Sequence, residues 1–340
     1  KKSTAYWDTL RPVPLDPEEA KDYKIKDSAY QYRKDSVWTK AYIDSMRSNQ
    51  GKITLSKIFL DGFRRSNYNP KKWTTFSFEP LLKQIQYNTV EGINVRSAFS
   101  IRRSFPKIKK QLVFEPHLRY GFSNGHFNAW ASLRFDKNNQ RWGTNDIDDD
   151  LNRNNWVLSA GKRVSEINNE NPIRPIQNTI NTLLWQRNYL KIYENWFAQI
   201  KYERQTDNGF NYGISLLYED RLPLENTTDF TVIKWDNRQF TPNYPVEKLT
   251  EQFKRHQAFI GLFNINWQPG QKFIQYPRYK MSLGSKYPTF TFKYWHGFNK
   301  ILGSDIDFSK WQLSLSDDGN LKLFGSLSYR AGVGGFINNH

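Results

Sequence analysis

At least eight stretches of this chain alternate apolar and polar residues with a period of two, each long enough to cross a membrane as an extended strand. In 127–135, Phe127, Ala129, Ala131, Leu133 and Phe135 oppose Asn128, Ser132 and Arg134. In 210–218, Phe210, Tyr212, Ile214 and Leu216 oppose Asn211, Gly213 and Ser215. In 112–120, Leu112, Phe114, Leu118 and Tyr120 oppose Glu115, His117 and Arg119. Successive strand side chains point to opposite faces, so each stretch has one oily and one wet face. Repeated with little helical periodicity between, the pattern predicts an all-β fold, an antiparallel β-barrel with a polar lumen.

Bulk properties fit that reading. No run approaches the length of an apolar transmembrane helix. Mean hydropathy is negative, which a spanning barrel tolerates because only half of each strand must be apolar. The 12 Trp, 19 Tyr and 24 Phe are abundant. Trp130, Trp156, Trp196, Trp267, Trp295 and Trp311 are expected at strand ends as interfacial girdles. The competing assignment places such rings in the core of a soluble all-β protein. With no cysteine, thiol catalysis and disulfides are excluded, and an exported protein is consistent. The net charge of +17 is dispersed, residues 1–90 carrying 17 basic and 10 acidic side chains. With no basic stripe or nucleic-acid module, anionic lipid or lipopolysaccharide phosphates are the expected partners, not nucleic acid.

The chain divides at about residue 90. Residues 1–90 are expected to form a periplasmic leader with a helix opening at Asp16-Pro17-Glu18-Glu19-Ala20 and short strands near 53–63 and 73–78. Residues 91–340 carry the barrel, with strands near 93–101, 110–122, 125–136, 155–164, 193–204, 208–219, 256–267, 277–284, 288–298, 309–316 and 319–330. Ser123-Asn124-Gly125 and Asp317-Asp318-Gly319-Asn320 are expected hairpin turns. Gln177 to Tyr193 fits a short amphipathic helix or a strand, segments 176–186 and 229–235 are weaker strand candidates, and the complete barrel is expected to hold about 12–16 strands.

Four segments carry a family resemblance: Tyr6 to Leu15 with Glu18-Glu19, Tyr87-Asn88-Thr89-Val90-Glu91-Gly92, Asn188 to Glu194, and Pro269 to Phe273 leading to Gly284 to Phe290. Together they resemble an outer-membrane family common in Bacteroidota, classed as a domain of unknown function and usually preceded by a carboxypeptidase-regulatory-like β-sandwich. The resemblance implies that this chain follows such a sandwich and stops before the last barrel strands, and it brings no catalytic residues. Asp-Ser/Thr before a small or aliphatic residue is also similar to the O-glycosylation acceptor of that bacterial group. It marks Thr9, Ser28, Ser36 and Ser45 as candidate acceptors.

Chemistry-bearing clusters are few. Asp146, Asp148, Asp149 and Asp150 crowd one loop and are candidate Ca²⁺ ligands, but the segment lacks the glycine and closing glutamate of an EF-hand. A solvated acidic loop is the leading assignment, and no cofactor is expected. His117 and His126, on adjacent polar faces, are close enough in the expected barrel to approach one another, with Ser123 and Ser132 near in sequence. Lumen-lining hydrogen bonds are the leading assignment, ahead of a Ser/His pair. Arg96, Glu115, Arg119, Arg134, Lys201 and Glu203 are expected to line the lumen, together with Arg102, Glu219, Lys293 and Arg330. Gly332, Gly334 and Gly335 suggest close backbone approach in a strand. The expected function is non-enzymatic: an outer-membrane scaffold or accessory barrel, with outer-membrane or periplasmic protein partners, in assembly of outer-membrane proteins or surface export. A solute pore and a soluble binding protein are the alternatives.

Overall fold

The computed structural model describes residues 16–36, 39–69, 72–105, 108, 110–137, 153–168, 172–247, 250–275, 280–320 and 325–338. Two helices come first, α1 (Pro17–Ser36) and α2 (Lys40–Ser48). Pro17 fits the first turn, where its missing N–H costs nothing, and the Asp16 carbonyl accepts from Ala20 N at 2.9 Å. Glu19 reaches back to the Asp16 amide at 3.4 Å, the returning half of a capping box. α1 is almost wholly exposed. α2 is tied to the sheet by Arg47, which donates through Nη2 to the Asn67 carbonyl at 2.8 Å.

The rest is one large antiparallel sheet. Its strands are β1 (Phe63–Ser66), β2 (Trp73–Phe78), β3 (Ile85–Asn88), β4 (Gly92–Phe105), β5 (Lys110–Gly121), β6 (Phe127–Lys137), β7 (Arg153–Glu166), β8 (Ile192–Gln205), β9 (Phe210–Pro223), β10 (His256–Trp267), β13 (Thr289–Gly297), β14 (Phe308–Asn320) and β15 (Ser326–Asn338). Neighbours in this order pair with one another, save that both β2 and β3 pair onto β4. β11 (Lys272–Gln275) and β12 (Lys280–Gly284) form a separate ribbon. Among the described residues β1 and β15 remain the two ends of the sheet.

Several expectations change. The short strands before residue 90 are hydrogen-bonded into the sheet, so the sheet does not begin at 91. The stretch 53–63 contains a helical turn, Lys57–Asp61, ahead of β1. Of the strand expected at 277–284, the described part, β12, belongs to the side ribbon and not to the main sheet. Asp317 to Asn320 is not a turn: β14 runs through it, Asp317 pairing Tyr329 and Asp318 pairing Ser328. The strand expected at 319–330 is therefore displaced to 326–338. There Gly334 packs so closely that a Cβ would lie 2.7 Å from the Trp311 carbonyl. Segment 176–186 is a helix, α3 (Pro175–Trp185), and 229–235 is irregular.

The register sorts side chains into two faces. Leu133 pairs Leu158, Leu158 pairs Ile200, and Ile200 pairs Leu216. With Phe114 beside Leu133 they make a lateral apolar row across five strands, each residue 37–49% exposed. One residue along, Glu115, Ser132, Ser159 and Gln199 make the matching polar row. The polar face is the sheltered one: Asn94, Asn128 and Asn195 are fully buried, and Glu219 nearly so. This inverts the usual distribution, in which apolar faces are buried and charges exposed.

Outward aromatics gather near one rim. Trp156 contacts Tyr202 at 4.6 Å, Tyr202 contacts Tyr212, Tyr212 contacts Phe210, and Trp267 contacts Phe290. Trp196 is also outward and exposed. Trp130 and Trp295 depart from the girdle expectation because their parity puts them on the polar face. Trp130 stacks on His117 with centroids 5.0 Å apart, and the Lys310 ammonium lies 5.0 Å from the Trp295 ring centroid.

The β6–β7 ladder ends at Trp130↔Gly161 although both strands continue. Gly161 has φ 136°, and a Cβ there would strike the Ala129 carbonyl and lie 2.6 Å from Trp130 Cα. Gly161→Ala is predicted to destabilise the protein by about 1–3 kcal/mol, read as a lowered midpoint of unfolding. An unchanged midpoint would show that the seam relaxes freely.

Candidate functional site: the polar face and its tied rim

All six charged residues expected to line a lumen share the sheltered face. Arg96 pairs Arg119 across β4–β5, Glu115 pairs Ser132 beside Arg134, and Lys201 and Glu203 sit two apart on β8. Arg134 Nη2 meets Glu115 Oε1 at 3.0 Å, and Lys201 Nζ meets Glu203 Oε1 at 2.6 Å. Arg96 lies over the Trp130 ring at 5.9 Å, its Nη2 3.5 Å from His117 Nδ1. Arg102, Glu219, Lys293 and Arg330 share the parity.

Two carboxylates organise the rest. Glu91, in the turn before β4, is fully buried. Its Oε1 accepts from Arg119 Nε at 2.7 Å, and its Oε2 from Arg119 Nη2 and from Asn88 Nδ2, the latter at 2.7 Å. Asn88 Oδ1 in turn accepts from the amides of Val90 and Glu91, the local bonding by which asparagine builds turns. A buried ion pair persists only when its remaining lone pairs are satisfied, and here they are.

Glu219 on β9 is the second hub. Its carboxylate accepts from Arg163 at 3.1 Å, Arg221 at 2.8 Å and Asn195 at 2.6 Å, with the Tyr193 hydroxyl at 3.4 Å. Arg163 also lies 3.7 Å from the Phe197 ring centroid. The polar face therefore carries a continuous charge-assisted network joining β7, β8 and β9.

Residues 87–92 also tie the rim together. The Thr89 carbonyl accepts from Thr227 N, and the Thr89 hydroxyl donates to Asn226. Asn188 donates to Thr89 Oγ1 and to the Thr241 carbonyl. Tyr87 N donates to Thr179 Oγ1 on α3, and its hydroxyl to the Phe230 carbonyl. Asn243 bridges Ile192 and Leu224, beside an apolar knot of Val90, Ile192 and Leu224. Two segments that carried the family resemblance, 87–92 and 188–194, thus meet in space as structural clamps.

Lys191 lies next to this knot in the chain. Its ammonium donates to Thr241 Oγ1 and the Pro242 carbonyl, each at 2.6 Å. Burial nevertheless lowers its pKa from 10.5 to about 8, because desolvation penalises the charged form.

Other expected sites fare differently. Asp146, Asp148, Asp149, Asp150 and Thr9 lie outside the described residues, as does the Ser36 side chain. Ser28 and Ser45 are exposed on α1 and α2. Among the described residues there is no group of three metal-ligating side chains. His117 and His126 do not meet. His117 is held by Trp130 and Arg96, whereas His126 sits at the rim, 3.2 Å from Glu194, which also pairs Lys162 at 2.9 Å. Ser123 bonds Thr227 and Ser132 bonds Glu115, neither a histidine. Among the described residues a Ser–His hydrogen bond forms elsewhere, His296 Nδ1 to Ser309 Oγ at 2.9 Å, aligned across β13–β14. Ser309 is buried and also accepts from the Tyr294 hydroxyl. That is a packing contact, not an exposed nucleophile.

The chain belongs to the family of unknown function DUF5686: residues 56–340 match its C-terminal domain. The Tyr6 to Leu15 segment lies outside the match. No curated protein and no solved structure matches the chain.

Two tests follow from the network. Glu91→Gln should cost about 3–5 kcal/mol by leaving Arg119 uncompensated, and a loss under 1 kcal/mol would show the pair to be dispensable. For Lys191, the unfolded chain binds more protons than the folded one between pH about 8 and about 10.5, so stability should rise with pH across that window. Lys191→Met should flatten the rise, and an identical slope in the variant would assign it to another group.

Proposed function

We propose that the chain is an integral outer-membrane β-barrel, acting without catalysis as an accessory or scaffold component of an envelope machine that assembles outer-membrane proteins or exports them to the surface. The observation that carries the membrane reading is the inverted burial of the sheet. An apolar row five strands wide is exposed while polar side chains of the opposite face, Asn94, Asn128, Asn195 and Glu219 among them, are buried. In water that arrangement leaves a large apolar surface uncovered; in a bilayer it is the expected pattern of lipid-facing and lumen-facing residues.

Dimensions support it. Phe127 and Phe135 end the outward face of β6, a nine-residue run of the length a tilted strand needs to cross a bilayer, about 9–11 residues. Trp156, Tyr202, Tyr212 and Trp267 border the apolar row near one rim, where amphipathic rings are favoured. No helix among the described residues is long and apolar enough to cross a membrane, so strands would do the crossing. Closure is part of the proposal, since an open edge is excluded in lipid.

The scaffold role rests on the tied rim. The Glu91–Arg119 pair and the Glu219 hub fill the sheltered face with paired charge, favouring an occluded interior over a conducting one. A pore is the second reading. It is favoured by a polar hollow of about 530 Å³ toward the other rim, lined by Asp136, Arg153, Asn211 and Asn266 among others. The protein is expected to require detergent, to migrate differently on gels after heating, to be silent in planar bilayers, and to purify from native membranes with partners. Solubility without detergent would contradict the membrane reading, and steady conductance without partners would favour the pore.

A further inference from the structure

Beside the clamp at the tied rim lies a cleft of about 740 Å³, within the size range of small-molecule sites. It is walled by the end of β7, the segment after α3 and the irregular stretch 237–247. Its lining is amide-rich, with Asn168, Gln186, Asn188, Asn237 and Gln239. Tyr189 contributes a ring that is more than half exposed.

The cleft is built on fixed backbone. Gln186 ends α3 in the left-handed region, at φ 52°, an uncommon conformation for a residue with a side chain. It is held there by its own amide, which donates to the Arg238 carbonyl at 2.9 Å and accepts from Trp235 N at 2.8 Å. Arg238 donates to the Trp185 carbonyl at 2.9 Å and lies over the Trp235 ring at 4.2 Å. Arg187 donates to the Tyr189 hydroxyl at 2.9 Å, which steadies that ring. By contrast, the Asn237 and Gln239 side chains are exposed and make no hydrogen bond among the described residues.

Charge decides the ligand class. Arg187, Arg238 and Lys191 line the cleft together with Glu166 and Glu247. The Lys191 ammonium is already bound to Thr241 and Pro242 oxygens. A phosphate would meet two carboxylates, and a cation would meet two guanidinium groups. A neutral ligand with many hydroxyls would satisfy both signs, since a hydroxyl donates to carboxylates and accepts from guanidinium and amide N–H groups. A pyranose adds an apolar C–H face that matches an exposed aromatic ring.

We propose that this cleft is a carbohydrate-binding site for a neutral oligosaccharide, with Tyr189 as the stacking platform and Asn237 and Gln239 as hydrogen-bonding groups. The glycan is either free or borne by a lipid, and the proposal stands apart from the scaffold role.

The test uses the purified full chain in detergent micelles, titrated by calorimetry with maltotriose, cellotriose and chitotriose, with inorganic phosphate and with lipopolysaccharide. At least one neutral trisaccharide should bind with a Kd of about 1 mM or tighter. Tyr189→Ala and the double variant Asn237→Ala/Gln239→Ala should each weaken it about tenfold or more, with thermal unfolding unchanged. Lipopolysaccharide that competes with the trisaccharide would identify a lipid-borne glycan, and failure to compete a free one. The proposal is overturned if no neutral trisaccharide binds by about 10 mM, whether or not lipopolysaccharide does. It is equally overturned if phosphate alone binds, or if binding survives both variants.

Discussion

Everything in this structure depends on strand parity being kept across successive antiparallel seams. A one-residue slip at any seam would send the next strand's charges to the apolar face and its leucines to the polar one. From β4 to β14 the pairings hold one parity, so Arg96 and Arg119, Glu115 and Ser132, and Lys293 and Gln312 fall on the same side. The ion pairs follow from that geometry. Arg134 reaches Glu115 because adjacent strands present them diagonally, and Glu219 gathers Arg163, Arg221 and Asn195 because three strands keep step.

The clamps at the rim protect that register. Each strand is only half apolar, and sliding would cost little if hydrogen bonds alone set the pairing. A buried carboxylate with one satisfied partner geometry removes that freedom, because a slip would strand the charge away from Arg119 or Arg163. The Tyr87 to Gly92 turn extends the constraint to α3 and residues 224–243, which bond to it through Thr179, Thr227 and Asn188. At Gly161 the β6–β7 ladder stops short, at a φ of 136° that favours glycine.

Much of this was legible in the sequence because a period of two is a local signal. The strands around Phe114, Leu133, Leu158, Ile200, Leu216 and Ile260 and the shared face of Arg96, Glu115, Arg119, Arg134, Lys201 and Glu203 follow from alternation alone. What was not legible depends on long-range pairing. Asp317 to Asn320 has turn composition, yet pairing with β15 draws it into β14. Trp130 resembles a rim residue, but its parity, even like that of Asn128, points it to the polar face against His117. Glu91 reads as an ordinary turn residue until the β4–β5 register brings Arg119 over it. The Ser309–His296 contact joins residues 13 apart, and only the β13–β14 register reveals it. The aspartates 146–150 lie outside the described residues and add nothing to the comparison.

The central claim is that the apolar face of the sheet meets lipid. Because the chain has no cysteine, single cysteines for spin labels can be placed along β6 of the protein in bilayers, at 128 to 135 in turn. Labels at Ala129, Ala131, Leu133 and Phe135 should be relaxed by oxygen dissolved in the bilayer. Those at Asn128, Ser132 and Arg134 should be shielded from it, giving a period of two. Odd positions shielded from both oxygen and a water-soluble relaxant would place the apolar face in a protein core and contradict the account.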